Sequence, residues 1–249
     1  MPPGRERLVP VHLAPTVRIG DVAPGGDEAV RARRLEELRT AARSALWLAR
    51  AFEPRHGPVR FCLENHALFE TGVWDPGSPR FARAFCSGPF PWEFALLAEL
   101  ISGDDAGDRV GFTLDVCHAM SALAGAVWMR ASGERFALVL PEDLEVDGRL
   151  PELADWFRAV GPRLGVVHLS RCVGLGAEPG QHAAALGDGD LDMAREVVRC
   201  LDMVGFSGPV VIEVQEPDVT RAVGSERTGR ALRRAVLAGQ AAPAAAAAP

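Results

Sequence analysis

Short apolar runs alternate along this chain with longer stretches of helical period. VRFCLE, VGFTLD, LGVVH and PVVIE are too short and too continuously apolar for amphipathic helices, and they stop on Glu64, Asp115, His168 and Glu213. Such runs predict buried strands. A fifth run, LVPVHLAP, is bounded by prolines and predicts a strand with its tip at His12. The segment EAVRARRLEELRTAARSALWLARAF sets Val30, Leu35, Leu38, Ala42, Leu46 and Ala49 at helical spacing. It predicts a helix with its arginines on the opposite face. Strand, helix and the next strand, Val59 to Glu64, form a βαβ unit, and the right-handed crossover makes the two strands parallel.

The unit recurs with variation. A loop from Asn65 to Pro89 leads to the helix PWEFALLAELIS and then the strand Val110 to Asp115. Loops of that length are more often functional than idle. A helix from about His118 to Arg130 follows, then RFALVL, a strand-like piece outside the repeat that reads as an inserted hairpin or a cover. The helix PELADWFRAV precedes the strand Leu164 to Leu169. After a Gly-rich loop come the helix LDMAREVVRCLDMV, the strand Pro209 to Val214 and a last helix near Arg227 to Leu237. One domain is expected over residues 1–238, with a disordered Ala/Pro tail over 239–249.

Buried strands that deliver acids and imidazoles at their C-terminal ends are how an α/β barrel builds a site at one mouth. Glu64, Asp115, His168 and Glu213 together offer three carboxylates and one imidazole. Mostly hard oxygen donors suit Mn²⁺, Mg²⁺, Co²⁺ or Fe²⁺ better than structural zinc. The strand count is about five, whereas a closed barrel has about eight. A barrel shortened at its N-terminus, a mis-set start, or a half completed by a partner subunit or a second copy would each account for the difference.

Composition removes other chemistries. All 27 basic residues are arginine and tyrosine is absent, which excludes Schiff-base lysine, P-loop lysine and any tyrosine acid or base. A net charge of -6 argues against broad nucleic-acid affinity. The five cysteines form no C-x-x-C pair, so neither a disulfide framework nor a zinc ribbon is expected. With no membrane-length apolar run and no signal-peptide h-region, a cytoplasmic protein is the expectation.

LENH at Glu64, TLDVCHA at Asp115 and His118, VVHLS at His168, QHAAALGDGDLD at His182 and VVIEV at Glu213 together resemble the xylose-isomerase-like TIM barrels, over roughly Leu8 to Val214. That superfamily holds sugar and sugar-phosphate isomerases and epimerases as well as apurinic endonucleases. The resemblance implies one divalent ion held by Glu64, Asp115, His168 and Glu213. It implies further that Glu64 and Glu213 move protons on opposite sides of a substrate carbon, while His118 hydrogen-bonds a sugar oxygen. Arg171, His182 and His12 complete the candidates for substrate contact. The endonuclease branch carries an Asp-x-His pair where this chain has Gly180 and His182, which disfavours a trinuclear zinc cluster. A metal-dependent isomerase or epimerase of a small sugar or sugar phosphate is the leading expectation. A phosphodiester hydrolase using His12 and His182, and a degenerate non-catalytic barrel, are the alternatives.

Overall fold

In the computed structural model, residues 6–13, 16–56, 58–68, 84–175, 181, 183–216, 218 and 220–241 are described. Five parallel strands form the central sheet: β1 (Arg7–His12), β3 (Val59–Glu64), β5 (Val110–Asp115), β6 (Leu164–Leu169) and β7 (Val210–Ile212). They lie side by side in chain order. Two three-residue strands, β2 (Thr16–Arg18) and β4 (Ala84–Cys86), form a separate antiparallel pair.

The helices connect these strands. α1 (Ile19–Val22) and α2 (Gly26–His56) follow β2, α3 (Pro91–Ser102) precedes β5, and α4 (Val116–Ser132) and α5 (Leu153–Val160) lie between β5 and β6. α6 (Leu191–Met203) leads to β7 and α7 (Val223–Ala241) follows it. Helix packs on helix in the sequence α2, α3, α5, α6, α7, so one layer of helices covers the sheet. The architecture is the expected α/β one, a curled parallel sheet with its strand ends at one mouth. Among the described residues the sheet is open, with β1 and β7 each paired on one side only.

Strand formation follows the apolar runs. Every residue of β5 and β6 is buried, as expected for parallel strands covered on both faces. β7 is shorter than the expected Pro209 to Val214, and Val211 is 44% exposed. An edge strand lacks a second neighbour to hold its ends, so Glu213 sits one residue beyond it. RFALVL forms neither strand nor hairpin. Phe136, Leu138, Val139 and Leu140 are buried in turn and coil, so the segment is a cover that contributes apolar contact without a ladder.

α2 departs from the expected amphipathic pattern at one residue. Arg34 is fully buried, between Glu93 of α3 and Asp143 of the 3₁₀ turn Pro141–Leu144. Its guanidinium lies over the rings of Phe85 (4.6 Å) and Trp92 (4.9 Å). The arginines of this helix therefore do not all face away from the core. α7 runs to Ala241, past the expected start of the tail, and residues 242–249 lie outside the described residues. No described helix is long and apolar enough to cross a membrane.

Candidate metal centre

Glu64 ends β3 and Asp115 ends β5, while His168 is the penultimate residue of β6 and Glu213 follows β7. Side chains at these positions project from the strand ends toward a common point. One donor atom from each of the four lies within 4.8 Å of every other. Two ligands about 2.0–2.2 Å from an ion and opposite one another stand ~4.0–4.4 Å apart. The four donors are therefore gathered on the scale of one coordination shell, and closing on a cation would draw them further together.

His168 is the hub of the cluster. Its Nδ1 lies 3.1 Å from Glu64 Oε1 and 2.6 Å from Glu213 Oε2. Burial pulls the imidazole pKa down, but the hydrogen bond to Glu64 and the charges of Glu64, Glu213 and Asp115 outweigh it, so the pKa is raised. Glu64 is 1% exposed, and its second oxygen, Oε2, has no hydrogen-bond partner. An unsatisfied buried carboxylate oxygen is costly. Its place in this donor set fits a cation ligand. Glu213 is the exposed member, with its side chain 54% accessible and its backbone N–H bonded to the Leu169 carbonyl at 3.2 Å.

Asp115 has two tasks. Its Oδ1 accepts the backbone N–H of His118 at 3.0 Å and so caps α4, while Oδ2 stands 3.9 Å from His118 Nε2. The cap explains why α4 begins at Val116, two residues before the expected start. His118 is buried, with Nδ1 bonded to the main-chain carbonyl of Asn65. Asn65 was not among the sequence candidates. It is fully buried, and its side chain bonds both backbone groups of Asp115, at 2.7 and 2.9 Å. Its position just past a strand end in LENH was the only signal available, because its partner lies 50 residues away.

The remaining candidates divide. His12 lies at the tip of β1 with Nε2 3.5 Å from Glu64 Oε2, so it borders the cluster. His66 is a loop residue but a buried one, edge-on to His12 at 5.3 Å and stacked parallel to His118 at 6.4 Å. The Arg171 guanidinium pairs with Asp190 at 3.1 Å, and its backbone bridges to Ala184. His182 lies outside the described residues. All five cysteines are buried and outside any disulfide, and burial pushes Cys62 up to about 12, which keeps it protonated and inert.

A family model described as "Xylose isomerase-like TIM barrel" matches residues 11–235. No curated protein matches the chain. Among solved structures, an L-ribulose 3-epimerase is 16% identical over 97% of this chain and 80% of its own, with a TM-score of 0.45. A 3-keto-D-glucoside 4-epimerase from E. coli is 15% identical over 92% of this chain and 63% of its own, with a TM-score of 0.46. An IolI protein with a bound zinc atom is 15% identical over 82% of this chain and 56% of its own, with a TM-score of 0.45. The chain thus spans less than two thirds of the length of the last two.

Proposed function

The chain belongs to the xylose isomerase-like TIM barrel family, and from that premise we propose that it is a divalent-metal-dependent isomerase or epimerase of a small sugar. The observation that carries the reading is the convergence of Glu64, Asp115, His168 and Glu213, with Glu64 Oε2 buried, outside any hydrogen bond and 3.5 Å from His12 Nε2. When bound, a cation such as Mn²⁺, Co²⁺, Mg²⁺ or Fe²⁺ supplies Lewis-acid stabilisation to the negative oxygen that develops as a carbon beside a carbonyl loses its proton.

The chain's own residues supply the rest. Glu64 and Glu213 are the proton carriers: one removes the proton from the substrate carbon and the other returns a proton on the opposite face, through an enediolate. Burial shields Glu64 from water, while the exposed Glu213 is placed to meet a substrate entering the mouth. His118 and His12 bond substrate hydroxyls from either side of Glu64. Arg171 is held through one guanidinium nitrogen by Asp190 at 3.1 Å, and that carboxylate offsets the charge a phosphate would meet there. An unphosphorylated sugar is for that reason placed ahead of a sugar phosphate as the substrate.

The test is deuterium exchange from D₂O into the carbon beside the carbonyl, across a panel of ketopentoses, ketohexoses and their phosphates. Exchange with wild type and its loss in Glu64→Gln and Glu213→Gln is the expected result. Variants that fold, bind metal and retain full exchange would sink the mechanism. A second reading, a phosphodiester hydrolase with more than one ion, is favoured by His12 beside Glu64 and by the His12, His66 and His118 ring row. Two or three zinc ions per chain with cleavage of abasic DNA would select it. In either reading the two open sheet edges fit a partner subunit or a second copy that completes the barrel, which light scattering on the purified chain would measure.

A further inference from the structure

The ladder between β3 and β5 ends with Glu64 opposite Thr113, yet β5 runs two residues further, to Asp115. Asn65 takes over where the ladder stops. Its Oδ1 accepts the Asp115 N–H at 2.7 Å, and its Nδ2 donates to the Asp115 carbonyl at 2.9 Å. A side-chain amide carries an acceptor and donors in one plane. It therefore reproduces one more peptide of β3 and holds the main chain from which the Asp115 carboxylate projects.

The backbone of Asn65 acts on a second residue. Its carbonyl oxygen bonds His118 Nδ1, and a carbonyl can only accept. The proton of the neutral ring must sit on Nδ1, which leaves Nε2 as the basic nitrogen, 3.9 Å from Asp115 Oδ2. Asn65 is 0% exposed, so water does not compete for these bonds.

We propose that Asn65 is the positioning residue of the metal centre, its amide fixing the orientation of Asp115 and its carbonyl fixing the tautomer of His118. The proposal rests on the metal-centre reading above. Asn65 itself touches no reacting atom. Groups that orient ligands in this way change metal affinity about 10–100-fold when altered.

The experiment measures the Mn²⁺ dissociation constant by calorimetry for wild type, Asp115→Ala, Asn65→Ala and Asn65→Asp, with folding checked by circular dichroism. Long-range ¹H–¹⁵N spectra report the His118 tautomer with the ring neutral. Both Asn65 variants should bind Mn²⁺ about 10–100-fold more weakly. For Asn65→Asp that loss has the opposite sign to the attraction an added negative charge would produce. Wild-type His118 should carry its proton on Nδ1. A purely structural role of the side chain would lower Tm and leave the Mn²⁺ affinity unchanged. Mn²⁺ binding by Asn65→Asp as tight as wild type, or a wild-type His118 protonated at Nε2, overturns the proposal. If the variants do not fold, the wild-type spectrum decides alone. Failure of the metal-centre reading looks different: wild type binds no Mn²⁺, or Asp115→Ala binds it equally well, while the tautomer is still read.

Discussion

His168 Nδ1 meets Glu64 Oε1 at 3.1 Å, across 104 residues of sequence and across the intervening strand β5. Adjacent strands stand ~4.8 Å apart, so β3 and β6 are separated by about twice that in a flat sheet. The side chains can touch because the sheet curls and both project from its concave face. The same curl brings in Asp115 from the strand between them and Glu213 from beyond β6.

The first prediction follows from that convergence. Wild type purified without chelator should carry about one divalent ion per chain, and Asp115→Ala should lose it. Added metal at about 100 times its Kd should stabilise the fold by ~2.7 kcal/mol. For a chain of this size that is a Tm rise of about 5–10 °C. The rise should vanish in Asp115→Ala. Elemental analysis and thermal melts with and without EDTA check it, and an unchanged Tm in wild type would contradict the site.

Much of this arrangement was legible in the sequence because each local signal agreed with the global fold. β3 and β5 begin and end where the apolar runs do, and β6 runs one residue past its own, to Leu169, since buried parallel strands leave continuous runs. Glu64, Asp115 and His168 stood out as polar residues terminating such runs. What stayed hidden depends on partners distant in sequence. β2 and β4 are three residues each and pair with α1, α2 and β3 between them in the chain, so no period marks them. Arg34 and Asn65 look like a surface arginine and a loop asparagine until the residues they bond are known.

Arg34 gives the second prediction. Its guanidinium donates to Asp143 at 2.6 and 3.0 Å and to Glu93 at 3.2 Å, with all three side chains buried. Burial pushes the Glu93 carboxyl up to about 6, with Arg34 opposing the shift and Asp143 adding to it. Removing the cation leaves two buried acids without compensation. Arg34→Met should cost about 3–5 kcal/mol in urea unfolding at neutral pH. A loss under ~1 kcal/mol, the scale of an exposed ion pair, would show that the network does not tie α2 to α3.

Asp155 sets an acid dependence. Burial raises its pKa, but the hydrogen bonds from Arg149 and the Glu152 N–H and the charges of Arg149 and Arg158 more than reverse this, so the folded-state pKa is lowered. A lowered carboxyl pKa contributes stability that is present above the unfolded value, about 3.9. It is lost as pH falls through the folded value. Asp155→Asn should be less stable than wild type at pH 7 by about 1 kcal/mol, since Arg149 and Arg158 are partly solvated. The gap should close as pH falls below about 4. Denaturant unfolding of both proteins at several pH values measures it, and a gap that persists in acid would assign the effect to something other than the charge.

The inner layer of the sheet yields the last prediction. A Cβ on Gly165 would lie 2.6 Å from the Cys62 sulfur, inside contact distance, and within 4 Å of the Phe112 carbonyl and Leu8. Gly165 sits in β6 at an irregularity of register with β5, and Cys62 is fully buried on β3, so the clash falls on a packed sulfur. Gly165→Ala should destabilise by about 1–3 kcal/mol as an overpacking change. Cys62→Ala removes the sulfur and should itself cost ~1 kcal/mol through the lost contact. In the double variant the new methyl occupies space that the sulfur vacates, so the two costs should fail to add by about 0.5–3 kcal/mol in the favourable direction. Urea unfolding of the four proteins completes the cycle. Additive losses would mean that the strain of Gly165→Ala falls on the backbone of β5 and not on Cys62.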